Sequence, residues 1–354
     1  MSSIDATLIV PASGRSSRYP GMRPKWMLTH PSGKIMIQAV LESFGFRRYK
    51  KTVVVILREH CEKYEADIIL EQIFGQDVEV LVLESATSCC PETVSQAIST
   101  LHIAGRVVIK DTDCIVEIDS SFDGNYIVGL QVDSRSPVNN LHQKSFIVKN
   151  EDDIVIDIVE KVVVSDNVCL GVYSVDADQF VYAYRDIAAS GVHCSLSEIY
   201  VSHVISHLVI SKKCLFHVVE ATRYVDWGTL ADWSREKDRF KTYIFDIDGV
   251  MLVNYGKYGS KNWSNTFEPI EENFSLVKKL SDEGNEIIFM TSREEEYLTK
   301  FKDSLLERGI KYKTILFGCN HNKRILVNDF APTNPYPSCE SVSIKRNSLL
   351  EDYI

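Results

Sequence analysis

The feature that most restricts the fold of this chain is a rhythm. Short apolar runs rich in β-branched residues alternate with stretches of helical period. ATLIVPA (6–12), TVVVIL (52–57), VEVLVL (78–83) and RVVIKDTD (106–113) are the runs. Helical patterns fill 36–45, the stretch from 58 to about Ile73, and ETVSQAISTLH (92–102). Runs this short and apolar read as strands buried on both faces. Strands that alternate with helices imply a parallel sheet covered on both sides. Between about 125 and 175 the rhythm breaks: YIVGLQV, SFIVKN, DIVIDIVE and VCLGVYSV follow one another without helices. That predicts an antiparallel or mixed addition to the sheet. SEIYVSHVISHLVI (197–210) then reads as a helix and CLFHVVEATRYVDW as a strand.

After the polar stretch GTLADWSREKDRFK (228–241), a connecting helix or linker, the rhythm restarts. TYIFDIDG (242–249), EIIFMTSR (286–293), YKTILFG (312–318) and RILVNDF (324–330) read as strands. The restart predicts two α/β domains, 1–238 and 239–354, and 354 residues suit two. No internal repeat or low-complexity segment is visible.

Composition narrows the partners. A net charge of −10 without a long basic run argues against nucleic acid, which draws on clustered Lys and Arg. Nine cysteines, an odd number with no CxxC pair, argue against a zinc ribbon or a disulfide framework. Reduced thiols in a cytoplasmic protein are the simpler reading. The start MSSIDATLIVPASG lacks the basic region of a signal peptide, and no apolar run approaches the ~20 residues of a membrane span. A soluble protein with no membrane partner is expected. Assembly into a homo-oligomer is left open.

Two strand ends carry chemistry. The first strand runs into Pro11-Ala12-Ser13-Gly14-Arg15-Ser16-Ser17-Arg18, then Arg23-Pro24-Lys25. Small residues let a backbone approach phosphates, its N–H groups can cradle them, and Arg15, Arg18 and Lys25 add positive charge. Such a loop at the carboxyl end of a strand is where open α/β sheets bind ligands. These residues resemble the sugar-phosphate nucleotidyltransferase family, whose signature is a first strand, a GxGxR loop and a Pro-Lys pair. Gly14, Arg18, Pro24 and Lys25 match, with Ser16 where a second glycine is usual. The resemblance spans roughly 6–235 and implies a Rossmann-like domain with a mixed sheet.

By this resemblance Ala12, Ser13, Gly14, Arg15, Ser16, Ser17 and Arg18 would bind a nucleoside triphosphate, joined by Thr93 and Gln96 at the base or sugar. Lys25 would bind the phosphates being rearranged and, with Arg18, act in catalysis. Asp113, with Asp111 in reserve, and Asp226 of Asp226-Trp227-Gly228-Thr229 would be the ligands of a magnesium ion. Glu160, Lys161 and Gly171 would border the sugar phosphate.

The second strand end is Phe245-Asp246-Ile247-Asp248-Gly249. Carboxylates two apart in a strand point the same way and can share a magnesium ion. One can attack phosphorus while the other handles a proton. These residues resemble the haloacid dehalogenase superfamily over about 242–346, which implies a smaller phosphatase-like α/β domain. Asp246 would be the nucleophile, Asp248 the acid/base, Thr291 and Ser292 the phosphate-binding pair, and Asp329 a further metal ligand. Lys323, with Lys313 as alternative, would be the basic residue. The spacings leave little room for a cap domain.

His203 and His207, four apart on a helix, lack a Glu between them that would make a metal motif, and read as a helix flank. Cys89-Cys90 read as structural thiols, Trp227 and Trp233 as packing anchors. The expected function is thus bifunctional: nucleotidyl transfer from an NTP to a sugar-1-phosphate, and hydrolysis of a phosphomonoester in the same surface-polysaccharide pathway. A cytidylyltransferase acting on choline phosphate or a polyol phosphate is the alternative within the class. A nucleotide-sensing protein with a relic phosphatase domain is the alternative outside it.

Overall fold

β1 (Ile4–Pro11) is the axis of the first unit in the computed structural model, which describes residues 4–14, 16, 18–19, 21–119, 122–132, 138, 140–190, 198–256, 263, 267–329 and 339–354. Ala6 to Val10 are all buried, and successive side chains of a strand leave opposite faces, so both faces are covered. Leu8 and Val10 join Leu41, Phe44, Leu70 and Phe74. These belong to α1 (Met36–Phe44) and α3 (Ala66–Phe74), which flank α2 (Arg58–Tyr64). Ile9 joins Ile98, Phe180 and Ile205 on the other face. That layer is α4 (Cys90–Thr100), α5 (Ala177–Ser190) and α6 (Val201–Ile210).

β1 pairs in parallel with β2 (Tyr49–Leu57) on one side and β4 (Arg106–Lys110) on the other; β3 (Glu79–Leu83) lies beyond β2. β9 (Asn167–Asp176) runs antiparallel between β4 and β6 (Tyr126–Gln131). β10 (His217–Glu220) closes that edge beside β6. β7 (Ser145–Lys149) and β8 (Val155–Glu160) form a hairpin joined to β9, making nine strands in one mixed sheet. The mixed addition expected over 125–175 is therefore part of the main sheet. CLFHVVEATRYVDW is a correction: it forms two strands. After β10 the chain turns at Ala221 and Thr222, and β11 (Arg223–Asp226) pairs antiparallel with β5 (Cys114–Glu117) in a separate ribbon. The backbone N–H groups of Ala221 and Thr222 bond to Gly129 and Glu117 in turn, handing the chain from one edge to the other.

From β1 the chain goes out to β2 and returns on β1's other side as β4. This reversal opens a crevice outside the carboxyl ends of β1 and β4.

The chain divides into Met1–Trp233 and Ser234–Ile354, and α7 (Leu230–Arg239) crosses the join. In the second unit β12 (Thr242–Asp246), β13 (Glu286–Met290) and β14 (Thr314–Leu316) form a parallel sheet in that order. α8 (Glu271–Asp282) and α9 (Thr299–Glu307) pack on it through Phe274, Val277, Phe301 and Leu305 against Phe245 and Phe289. A second correction falls here. Residues 324–329, read as a strand, are irregular and exposed, with Ile325 79% and Val327 86% accessible. A β-branched apolar run is eligible for a strand, but a partner edge and a covering layer decide it.

Candidate active site

The loop after β1 and the segment after β4 meet at the crevice. Ala12 N–H donates to Val55 carbonyl (2.8 Å), prolonging the β1–β2 pairing into the loop. Ser13 Oγ lies 2.9 Å from Thr93 Oγ1, tying the loop to the start of α4. Ser16 has φ +50°, a conformation glycine adopts most easily, so the position usually glycine keeps glycine's geometry here. Its Oγ accepts from the Lys25 N–H (3.0 Å), folding the loop back on the Pro-Lys pair. Gly14 and Arg18 are exposed. Arg15 and Ser17 lie outside the described residues. Gln96 does not join the site: it is exposed on α4, beside Glu92.

Tyr19 locks the loop to the Asp226 segment. Buried, its hydroxyl donates between the carbonyls of Trp227 (2.5 Å) and Thr229 (2.9 Å). Trp227 packs edge-on against Trp233, ring centroids 5.4 Å apart, as expected of anchors.

The β5–β11 ribbon sets two carboxylates side by side. Asp226 is in register with Cys114, and Trp227 N–H donates to the Asp113 carbonyl (2.8 Å). Both side chains turn to Gly228. A Cβ there would stand 3.0 Å from Asp226 Oδ1, 3.6 Å from Asp113 Oδ2 and 3.5 Å from an Arg18 guanidinium nitrogen. Each carboxylate also holds a lysine. Lys25 is ion-paired with Asp113, and Lys144 Nζ lies 2.5 Å from Asp226 Oδ2. Burial alone would push the Asp113 carboxyl up, but Lys25, Arg18 and Lys144 together hold it well below the usual carboxylate range. Burial works against charge on Lys144 too, yet Asp226 keeps its ammonium above the ordinary lysine value. Two hard oxygen donors facing a cradle that a single methyl would fill fit a small divalent cation such as magnesium.

Asp111 sits behind this pair. Gly171, at φ +68°, has no side chain because one would meet Asp111 Oδ2 at 2.2 Å. Burial first, and the charge of Asp113 second, push Asp111 up to about 6. Lys110 is wholly buried beneath, donating to the carbonyls of Asp111 and Cys114 (both 2.8 Å), and so pins the turn that carries both aspartates. Glu160 accepts from Ser145 and from Ser202 Oγ (2.6 Å), while the Lys161 ammonium is bonded to the Tyr200 hydroxyl. The Lys161 N–H donates to the Lys144 carbonyl (3.0 Å), linking the Glu-Lys pair to the carboxylate side of the crevice. His203 caps α6 through Tyr200 N–H and His207 pairs with Asp186, so neither is a ligand in this arrangement.

In the second unit Asp246 ends β12; partial loss of solvent around its carboxyl group, then the charge of Asp248, raise it above the ordinary carboxylate value. Asp248 is gripped by Arg293, whose Nη2 reaches Oδ1 at 2.6 Å and whose Nε lies 3.0 Å from both oxygens. Thr291, fully buried, donates to Asp248 Oδ2 (3.2 Å). Ser292 is half-buried beside them. Lys313 is a correction: it lies near Glu286, at the start of β13, the opposite end of the sheet from Asp246. Lys323 and Asp329 stand on the exposed irregular segment. Arg324 and His321 are the basic groups whose charge acts on Asp246. Among the described residues no three His, Cys, Asp or Glu side chains cluster as a metal centre. Asp248 is held by Arg293 and Thr291 and Asp329 stands on the exposed irregular segment, so Asp246, Asp248 and Asp329 are not gathered around a magnesium ion in this arrangement.

Lys144, Lys110, Tyr19, Arg293 and Arg324 escaped the sequence reading. Arg293 had a signal, two residues beyond Thr291. Lys144 had only its place ahead of a strand.

No protein-family model matches the sequence, and no curated protein is a significant match. Solved structures do match the N-terminal region. A nucleoside-diphosphate-sugar pyrophosphorylase from Vibrio cholerae RC9 superposes with a TM-score of 0.55 at 17% identity, over 65% of this chain and 99% of that one. A UDP-glucose pyrophosphorylase complexed with UDP-glucose gives 0.52 at 14%, over 66% and 98%. The inositol-1-phosphate CTP transferase from T. maritima gives 0.51 at 14%, over 67% and 98%. At such identities the likeness is one of fold: a mixed α/β, nucleotidyltransferase-like architecture. No helix among the described residues is long and apolar enough to cross a membrane.

Proposed function

We propose that the first unit transfers a nucleotidyl group from an NTP to a phosphorylated sugar or related alcohol, releasing pyrophosphate. The observation that carries this reading is the convergence of Asp113, Asp226 and Arg18 on Gly228, with Lys25 and Lys144 paired to the two carboxylates, at the crevice outside β1 and β4. The transfer needs no protein nucleophile. A phosphate oxygen of the acceptor attacks the α-phosphorus, and the bond from that phosphorus to the pyrophosphate oxygen breaks. Catalysis is then positioning and charge neutralisation. The backbone of Ala12 to Gly14 approaches the triphosphate, Arg18 and Lys25 meet its charge, and Glu160 with Lys161 orients the acceptor. Asp113 and Asp226 would hold magnesium, which when bound supplies positive charge to the phosphate oxygens.

The acceptor class extends to polyol phosphates. One protein of this fold is named as an inositol-1-phosphate CTP transferase. We place the second unit as a phosphatase, with Asp246 as nucleophile and Asp248, held by Arg293, beside it. Dephosphorylation of a bisphosphorylated precursor would join the two reactions in one surface-polysaccharide pathway. The units are thus read as a nucleotidyltransferase domain and a haloacid dehalogenase-like domain.

The deciding experiment follows pyrophosphate release from each of four NTPs with magnesium and a library of sugar and polyol phosphates. Free phosphate is followed in parallel without NTP. Pyrophosphate from one NTP, lost in Asp113→Ala, supports the transfer. Tight NTP binding without turnover on any acceptor refutes it in favour of a nucleotide sensor. Phosphate release that survives Asp246→Asn refutes the second assignment.

A further inference from the structure

Lys144 has no part in the motifs that define the first site, yet it occupies the site's centre. Its ammonium lies 2.5 Å from Asp226 Oδ2 and 3.0 Å from the Tyr224 hydroxyl, and it is 19% exposed against 6% for Asp226. Lys25 makes the matching pair with Asp113. Two ammonium groups on two carboxylates carry the charge that one divalent cation would carry in their place. A buried carboxylate left unpaired is costly, so without metal the lysines keep both aspartates satisfied. The same two cations are what an incoming triphosphate requires. Lys144 is also the residue whose carbonyl accepts from Lys161, so it stands between the aspartates and the Glu160-Lys161 pair.

We propose that Lys144 and Lys25 are stand-in counterions: each releases its aspartate when a divalent cation arrives with nucleotide, and turns its ammonium to the phosphates. Lys144 is a positioning residue that couples metal binding to nucleotide binding. This rests on the reading of Asp113 and Asp226 as a metal pair. It predicts that metal alone binds poorly, because it competes with two ammonium groups for the same oxygens. Nucleotide removes that competition by giving the ammonium groups another partner.

The test uses full-length, EDTA-stripped protein and Mn2+ as the probe, with free Mn2+ counted by electron paramagnetic resonance without nucleotide. Lys144→Met removes the competitor, so Mn2+ binding should tighten at least about tenfold, the scale of a charge-assisted hydrogen bond. Affinity for a non-hydrolysable NTP with magnesium should fall at least about tenfold. Lys144→Arg should restore nucleotide affinity and weak Mn2+ binding together. A merely structural lysine predicts the opposite sign for the metal, weaker binding in Lys144→Met. That result, or unchanged Mn2+ affinity, overturns the proposal. Should Lys144→Met not fold, Lys144→Gln is read by the same criteria, with circular dichroism as the check. Metal affinity without nucleotide is independent of turnover. Tightened Mn2+ binding in a protein that transfers nothing would therefore sink the transferase reading alone, and unchanged Mn2+ binding in an active enzyme would sink only the counterion exchange.

Discussion

Gly228→Ala isolates the carboxylate cradle with a single methyl group. Position 228 does not have the positive φ that would make any side chain strained, so the backbone accepts alanine. The new methyl would stand 3.0 Å from Asp226 Oδ1 and 3.6 Å from Asp113 Oδ2. Magnesium needs oxygens at about 2.0–2.1 Å with near-ideal geometry, so a carbon in that space displaces either the ion or the carboxylates. The neighbours must shift by a few tenths of an ångström, a cost of about 1 kcal/mol. For a unit of this size that lowers the melting temperature by about 2–4 °C. The ion, whose space the methyl takes, is moved further than its neighbours, by about 1 Å or more, and misplacement near 1 Å at reacting groups costs about a hundredfold in rate. Pyrophosphate release should therefore fall about a hundredfold and Mn2+ binding with it, while the protein melts almost as wild type. Transfer within threefold of wild type, with unchanged Mn2+ affinity, would refute the idea that Asp113 and Asp226 act together at Gly228.

Gly171→Ala attacks the same site from behind: with a methyl 2.2 Å from Asp111 Oδ2 at φ +68°, unfolding stability should fall by about 2–4 kcal/mol, and a loss below 1 kcal/mol in urea denaturation would contradict the geometry. The raised Asp111 carboxyl implies a pH effect of known sign. Its folded value of about 6 exceeds the ordinary 3.8, so the native state holds the proton more tightly and stability is lost as pH rises through that window. Asp111→Asn, assayed in EDTA, should be more stable than wild type by about 2–3 kcal/mol at pH 8 and equal to it below about pH 4; a constant difference across pH would refute this. On the proposed phosphatase reading of the second unit, Asp246 must be ionised to attack, so the acid limb of kcat/KM for phosphate release should lie above the ordinary carboxylate range, as raised Asp246 requires. A flat profile down to that range would remove Asp246 from the role.

Much of the first site was legible because its residues follow strands. A buried β-branched run ending in Pro-Ala-Ser-Gly announces both a strand and the loop after it, and aspartates after RVVIK and RYV mark strand ends in the same way. Thr93 and Gln96 were both named by the resemblance alone; Thr93 meets Ser13 of the loop, whereas Gln96, exposed on α4, does not reach it. Lys144 and Lys110 were invisible for another reason. Their roles come from partners that only the folded topology supplies, Asp226 across the crevice and the carbonyls of the Asp111 turn. The same limit explains RILVNDF and CLFHVVEATRYVDW: side-chain alternation reports that a segment suits a sheet, and says nothing of which edge receives it or whether one strand becomes two.

During synthesis the ribbon of β5 and β11 sets the timetable. Arg223 and Glu117, bonded across it at 2.8 Å, are 106 positions apart, and β10 reaches β6 over a similar stretch of chain. Strands β1, β2 and β3 can pair as they leave the ribosome, since their crossovers are short, and β4 then joins β1 with Thr7 opposite Val107, whereas the closures onto β6 and β5 must wait for chain made much later and are slow. Until residues 217–226 emerge, β6 keeps an open edge and Asp113 has no companion carboxylate. The nascent protein thus builds its sheet first and its pair of carboxylates last, and a chain stalled short of β10 exposes a sticky edge to chaperones and proteases before that pair exists.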